Sequence, residues 1–259
     1  MLISSRKNDM VRCCRELMRE KKARDERGEL MAEGDHLCGE LARLDYEIPL
    51  ALYTERAAEK YPETIAVLRQ RAAETAVITE EVAEYISDTK SPQGVFAVGK
   101  RPVRELSALF GARRLVILDG VQDPGNVGTV IRTAEALGID GAILVGGCAD
   151  IWSPKTIRAS MGSVFRLACI SGSAGDILSR TELDGFCIYG AMLDRNALRL
   201  GEMRFAEKSA VVIGSEGGGI SDEVRRLCTG TLYIPISGAE SLNAAAAAAI
   251  ILWELSRGV

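Results

Sequence analysis

From Arg114 the chain reads RLVILDG, then VQDPGNVG, then TVIRTAEALG. An apolar run this long, with no polar alternation, is the pattern of a strand covered on both faces, as in a parallel sheet. Parallel neighbours cannot be joined by a tight hairpin and need a crossover, usually a helix. The stretch TVIRTAEALG, stopped by Gly138, supplies one. The alternation then recurs. AILVG at 142–146, IYGAML at 188–193, AVVIGSE at 210–216 and LYIPIS at 232–237 read as further strands, each followed by a loop or helix. A last helix is expected from about Leu242 to Ser256, its six alanines at 244–249 allowing close packing. The fold class is therefore α/β, a mainly parallel sheet covered by helices.

The first hundred residues carry a different pattern. Val11, Cys14, Leu17 and Met18 stand at helical spacing within residues 8–22. A short strand is expected in ELMAEG, helices around 35–44 and 57–73, a strand at 76–79 and a short helix near 80–86. Turn residues Ser91–Gly94 lead into the strand Val95–Val98, and Lys100–Pro102 reads as a linker. The expected division is a domain over residues 1–105 and a second over 106–259.

Composition excludes several classes. Of the 259 residues 47% are apolar, yet the longest apolar run, Ala244–Trp253, is about half a membrane span. No signal-peptide pattern follows the charged N-terminus, so a cytoplasmic protein is expected. The seven cysteines form no CxxC pair and His36 is the only histidine, which argues against a metal site and against chemistry needing two histidines. His36 itself reads as a surface or packing residue. The net charge of −4 is not that of a strongly basic nucleic-acid binder, but residues 1–28 hold nine Lys/Arg against five Asp/Glu.

Ligands of such sheets bind outside the carboxyl ends of the strands. No GxxxxGK[ST] phosphate loop is present, and DGVQDPGNVG has the wrong spacing for a dinucleotide fingerprint. GSEGGGIS at 214–221 is dense in glycine, but Glu216 would repel a phosphate. A cationic or zwitterionic ligand suits it better. Taken singly, Asn126 after Pro124–Gly125 is also a turn residue, Ser241 also a helix cap, Arg132 also a solvated arginine, and Gly217–Gly219 also a tight turn.

In order and spacing, however, LDGVQDPGNVGTVIRTAEALG at 118–138, VVIGSEGGGIS at 211–221 and LYIPISGAESLNAAAAAAI at 232–250 resemble the three motifs of the SpoU (TrmH-like) family of SPOUT methyltransferases. SSRKN at 4–8, MAEGDHL at 31–37 and SPQGVFAV at 91–98 look like landmarks of the ribosomal-protein-like α/β domain that often precedes the catalytic one. The resemblance implies S-adenosylmethionine-dependent methylation of a ribose 2′-hydroxyl, with ribosomal RNA favoured over transfer RNA. A non-catalytic RNA-binding protein that keeps the fold is the rival reading. It also implies a deep trefoil knot in the C-terminal domain, RNA binding by residues 1–105, and a homodimer. The residues carried over as catalytic are Asn126, Arg132, Glu216, Ser241 and Asn243. Cofactor contacts fall to Gly214, Ile234 and Leu242, with Ile213 and Ile236 nearby and Met192 or Leu193 lining the pocket. Arg6, Lys7, Arg12, Lys22 and Arg158 are the candidates for RNA contact.

These residue types suit the chemistry. A sulfonium donor brings its own leaving group, so alignment and management of the hydroxyl proton are what remain. No metal or covalent intermediate is needed. Arg132 is either a clamp, through its planar fork, or a base, although a guanidinium holds its proton tightly. Glu216 either steadies Arg132 or binds the ligand's amino group, and Asn126 and Asn243 offer both donors and acceptors.

Overall fold

The computed structural model describes residues 2–178, 185–238 and 241–257. The chain forms two compact units. One holds residues 1–103 together with Trp152–Phe165, and the other holds Arg104–Ile151 and Arg166–Val259.

The first unit contains β1 (Leu2–Ile3), α1 (Asp9–Arg19), α2 (Lys21–Arg27), β2 (Glu29–Glu33), α3 (Asp35–Arg43), β3 (Ile48–Tyr53), α4 (Glu55–Lys60), α5 (Pro62–Arg71), β4 (Ala72–Ile78), α6 (Glu80–Ile86) and β5 (Val95–Lys100). Its sheet runs β1-β4-β3-β5-β2, with β5 antiparallel to both neighbours. The Asn8 side chain caps α1 by accepting from the Met10 amide, and the buried face is Val11, Cys14, Leu17 and Met18, as the spacing predicts. The helix stops at Arg19 rather than 22. Glu20 turns extended there, and α2 restarts the helical path to Gly28, whose φ of 62° is one that glycine adopts cheaply. The strand β3 lies at the sheet's centre although no strand is expected there. Pro49 stands at its second position, where β3 is only beginning. Leu17, Met31, Leu52 and Phe96 meet in the core.

The second unit contains β6 (Arg114–Asp119), α7 (Pro124–Ala136), β7 (Gly141–Val145), β8 (Ala168–Ser171), α9 (Ala174–Leu178), β9 (Cys187–Ala191), β10 (Leu198–Arg199), β11 (Ser209–Gly214), α10 (Asp222–Arg225), β12 (Gly230–Tyr233) and α11 (Ala244–Arg257), while α8 (Pro154–Ala159) belongs to the first unit. The sheet order is β10-β12-β9-β11-β6-β7-β8, and every neighbouring pair is parallel. The short strands β8 and β10 are additions to the expected set. β12 ends at Tyr233, not at 237, since Pro235 has no N–H to give a ladder. From β6 the chain first moves outward through β7 and β8, then returns on the other side with β9 and β11. That reversal falls between β6 and β11, and a sheet of this kind opens its ligand crevice at such a point. α11 packs on α7 and β11 through the small buried residues Ala244, Ala245 and Ala248.

All seven cysteines are free. Cys14, Cys38 and Cys169 are buried, and burial pushes the Cys169 thiol up to about 12. No helix among the described residues is long and apolar enough to cross a membrane. Two outcomes follow from this packing. Phe96→Ala is expected to destabilise the first unit by about 3–5 kcal/mol in urea denaturation. Iodoacetamide near neutral pH is expected to leave Cys14, Cys38 and Cys169 unmodified in the native chain and to reach them only after denaturation, as read by mass spectrometry.

Candidate active site

The parallel register pairs Ile213 with Leu118 and Gly214 with Asp119, so β6 and β11 end side by side and release their loops together. Asp119, 2% exposed, accepts a hydrogen bond from the Ser221 amide at 2.6 Å and so fastens the far end of the second loop to the root of the first. Between those points the second loop doubles back through paired Ser215 and Gly219 amide–carbonyl bonds of 3.0 and 2.9 Å. Gly214 is required by this fold-back. A Cβ there would overlap the backbone of Gly219 and Ile220.

Asn126 ties the three motifs together. Asp123 caps α7 by accepting from the Asn126 amide at 2.9 Å, with Pro124 at the first helical position. From that fixed turn the Asn126 side chain donates through Nδ2 to Glu216 Oε1 and accepts at Oδ1 from Asn243 Nδ2 at 3.1 Å. Asn243 is in turn fixed by α11: its Oδ1 accepts from the Ala245 and Ala246 amides at 2.9 and 3.2 Å. The cap of the last helix is therefore Asn243, and Ser241 is left for another task. Glu216 takes its hydrogen bond from Asn126 rather than from Arg132. Arg132 lies further along α7, exposed, and makes no hydrogen bond or ion pair among the described residues.

Beside this network lies a cavity of about 710 Å³. Six of the residues singled out from sequence line it: Met192, Leu193, Ile234, Ile236, Ser241 and Leu242. Its wall is mostly apolar, and its size is in the range of small-molecule sites. Ile234 and Ile236 lie beyond the end of β12 and Leu242 before α11, outside the regular ladders. Their backbone groups take no hydrogen bond among the described residues, and this fits a ligand with a hydrogen-bonding ring edge. Gly214 and Ile213 are not among the lining residues. Gly214 shapes the neighbouring loop, and Ile213 is buried in β11. Two residues that the motifs did not flag prove structural to the site, Asp119 and Asp123. An aspartate closing an otherwise apolar strand run was the available signal for the first.

The five basic candidates of the first unit are mostly neutralised locally. Arg6 pairs with Glu81 at 2.8 Å, Arg12 with Asp9 and Lys22 with Glu26, both at 3.7 Å. Arg158 reaches Asp88 at 3.1 Å and Glu33 at 3.6 Å. Lys7 is exposed and makes no ion pair among the described residues. Exposed pairs of the first kind are weak and exchange readily for phosphate. Among the described residues no group of three or more His, Cys, Asp or Glu is placed to hold a metal ion.

Known proteins share both the sequence and the architecture. The sequence profile of the SpoU rRNA Methylase family matches residues 113–253, and that of the MRM3-like substrate binding domain matches 8–97. The 23S rRNA (guanosine(2553)-2′-O)-methyltransferase RlmP of Bacillus subtilis is 31% identical over 98% of both chains. An AdoMet-bound rRNA methyltransferase from Sinorhizobium meliloti superposes with a TM-score of 0.88 at 30% identity, covering 99% of this chain and 97% of that one. The SpoU methyltransferase AviRb of Streptomyces viridochromogenes, solved with AdoMet, gives 0.84 at 27% identity over 96% of this chain and 98% of that chain. With more than half of its length in the family profile, and Asn126, Glu216 and Asn243 of its three motifs joined by hydrogen bonds, the chain belongs to the SpoU rRNA methylase family.

Proposed function

We propose that this chain transfers the methyl group of S-adenosylmethionine to a ribose 2′-hydroxyl of large-subunit ribosomal RNA. The observation that carries the reading is the Asn126 side chain, bonded at once to Glu216 and Asn243 beside a ligand-sized apolar cavity. The relatives named as 23S rRNA methyltransferases support ribosomal RNA as the substrate. A cytoplasmic setting goes with that substrate.

Bound in the cavity, S-adenosylmethionine would supply a methyl on a sulfonium centre with a neutral leaving group. The chain's own residues do the rest. The unpaired backbone groups of Ile234, Ile236 and Leu242 address the adenine edge, and Met192 and Leu193 give an apolar wall. Glu216, held in place by Asn126, sets a carboxylate against the cationic ligand. Ser241 stands at the cavity rim with a hydroxyl that both donates and accepts. Arg132 has an exposed fork with no partner among the described residues, which supports a clamp on RNA phosphate near the target ribose over a base.

The same reading assigns RNA binding to residues 1–105, with Arg6, Lys7, Arg12, Lys22 and Arg158 as contacts and residues 106–259 as the catalytic domain. It includes the family's knot, supported by the return of Asn243 to α7. It also includes a homodimer, supported by exposed Ile250 and Trp253 three residues apart on α11.

Tritiated S-adenosylmethionine with unmodified ribosomal RNA is the direct assay. Wild type is expected to label it, and digestion to yield a 2′-O-methyl nucleoside. Unlabelled RNA would refute the reading. Arg132→Ala is expected to lower the single-turnover rate by roughly 10²–10³, equivalent to about 3–4 kcal/mol, while calorimetry finds cofactor affinity within about threefold of wild type. Gly214→Ala should do the reverse: the second loop is displaced and calorimetric cofactor binding falls by at least about tenfold.

A further inference from the structure

The loop between β9 and β10, residues 192–197, supplies Met192 and Leu193 to the wall of the large cavity. Met192 packs back over Gly190, where a Cβ would stand 2.8 Å from its Cε. Leu193 lines the cavity while 82% exposed, so it has little packing of its own to keep it there. The loop is anchored at both ends: the Met192 amide donates to the Leu232 carbonyl at 2.9 Å, and Leu198 pairs with Leu232 in the parallel ladder. Between those ends the chain turns on Asp194. Its Oδ1 accepts from the Asn196 amide at 3.0 Å, and its carbonyl from the Ala197 amide at 3.1 Å. Asp194 Oδ2 accepts from Arg225 Nη2, also at 3.0 Å. Among the described residues this is the one hydrogen bond that a side chain of the loop makes outside it. The Asn196 amide, and after it the Arg225 guanidinium, hold the Asp194 carboxyl below its ordinary range, which keeps the pair charged at neutral pH.

Arg225 stands on a fixed element. It ends α10, whose N-cap Ser221 accepts from the Val224 amide at 3.3 Å and gives its own amide to buried Asp119. Val224 is fully buried in the core of the second unit. α10 also follows directly on the loop that carries Glu216, so the Arg225 bond ties the Met192–Leu193 wall to the same segment. A surface pair between two mobile side chains contributes little. Here the carboxylate is half-buried and its other oxygen is already committed to the turn, so the pair immobilises little that was free. Arg225 does not line the cavity, and whatever it does there it does through Asp194.

We infer that Arg225 is a positioning residue for the cofactor: through Asp194 it holds the Met192–Leu193 wall in place and so raises the affinity for S-adenosylmethionine. The inference rests on the proposed function and deepens it by adding to the cofactor site a pair of residues outside the three motifs.

Calorimetry with S-adenosylmethionine on the full chain reads it. Arg225→Ala is expected to weaken binding about three- to fivefold, the range open to a largely exposed ion pair. Arg225→Lys keeps the charge and is expected to recover part of the loss. Asp194→Asn keeps an acceptor for the Asn196 amide but turns an amide nitrogen toward Arg225. It is expected to match Arg225→Ala, and the double variant to bind no more weakly than either single one. In the tritium assay the loss should appear in KM for S-adenosylmethionine and not in kcat. A pair that served only the fold would instead lower the urea midpoint and leave cofactor affinity alone. Affinity of Arg225→Ala equal to that of wild type, or effects of the two substitutions that multiply, overturns the inference. Wild type that binds no S-adenosylmethionine overturns the proposed function with it, whereas equal binding by wild type and variants removes the positioning role alone.

Discussion

The site depends on the side chain of one asparagine. Asn126 can hold Glu216 with its amide nitrogen and Asn243 with its oxygen only because α7 starts where it does, capped by Asp123 and led by Pro124. A primary amide is the smallest group that donates and accepts in one plane, which a carboxylate or hydroxyl in that place would not reproduce. Through it, segments 90 and 117 residues away in sequence are drawn to one place beside the crevice between β6 and β11. Asp119 performs a matching service at the base of the loops by fixing Ser221. The sheet's order brings the first two loops together: a parallel sheet that reverses direction between β6 and β11 delivers both to one edge.

The two polar clusters of the chain use similar devices for different ends. Around Asn126 the hydrogen bonds are satisfied among protein groups, and the neighbouring cavity is apolar with free backbone groups at Ile234, Ile236 and Leu242. Around Glu33 the protein satisfies one half of a carboxylate and one half of a guanidinium and leaves the other halves facing each other. In the proposed function, the first arrangement fixes the loops beside the cofactor's cavity.

Much of this was legible in the residues. The apolar run from Arg114, the stop at Gly138 and the turn chemistry between them define a parallel unit on their own, and Met192, Leu193, Ile234, Ile236, Ser241 and Leu242 do converge on one cavity. What stayed hidden was long-range pairing. Nothing local says that Glu216 bonds to Asn126 rather than Arg132, or that Asn243, not Ser241, caps α11. Nor could the sequence reveal that Trp152–Phe165 groups with the first unit, since that segment sits between two strands of the second. The strand at 48–53 was obscured by Pro49, and β8 and β10 are too short to carry a periodic signal.

The central claim is that the loops after β6, β11 and β12 form one methyl-transferring site acting on ribosomal RNA. Mapping 2′-O-methyl nucleotides across ribosomal and transfer RNA, from cells with and without the gene, tests it most directly. The account predicts loss of a discrete large-subunit mark, restored by the wild-type gene but not by one encoding Asn126→Ala. A methylation map that is the same in both strains would contradict it.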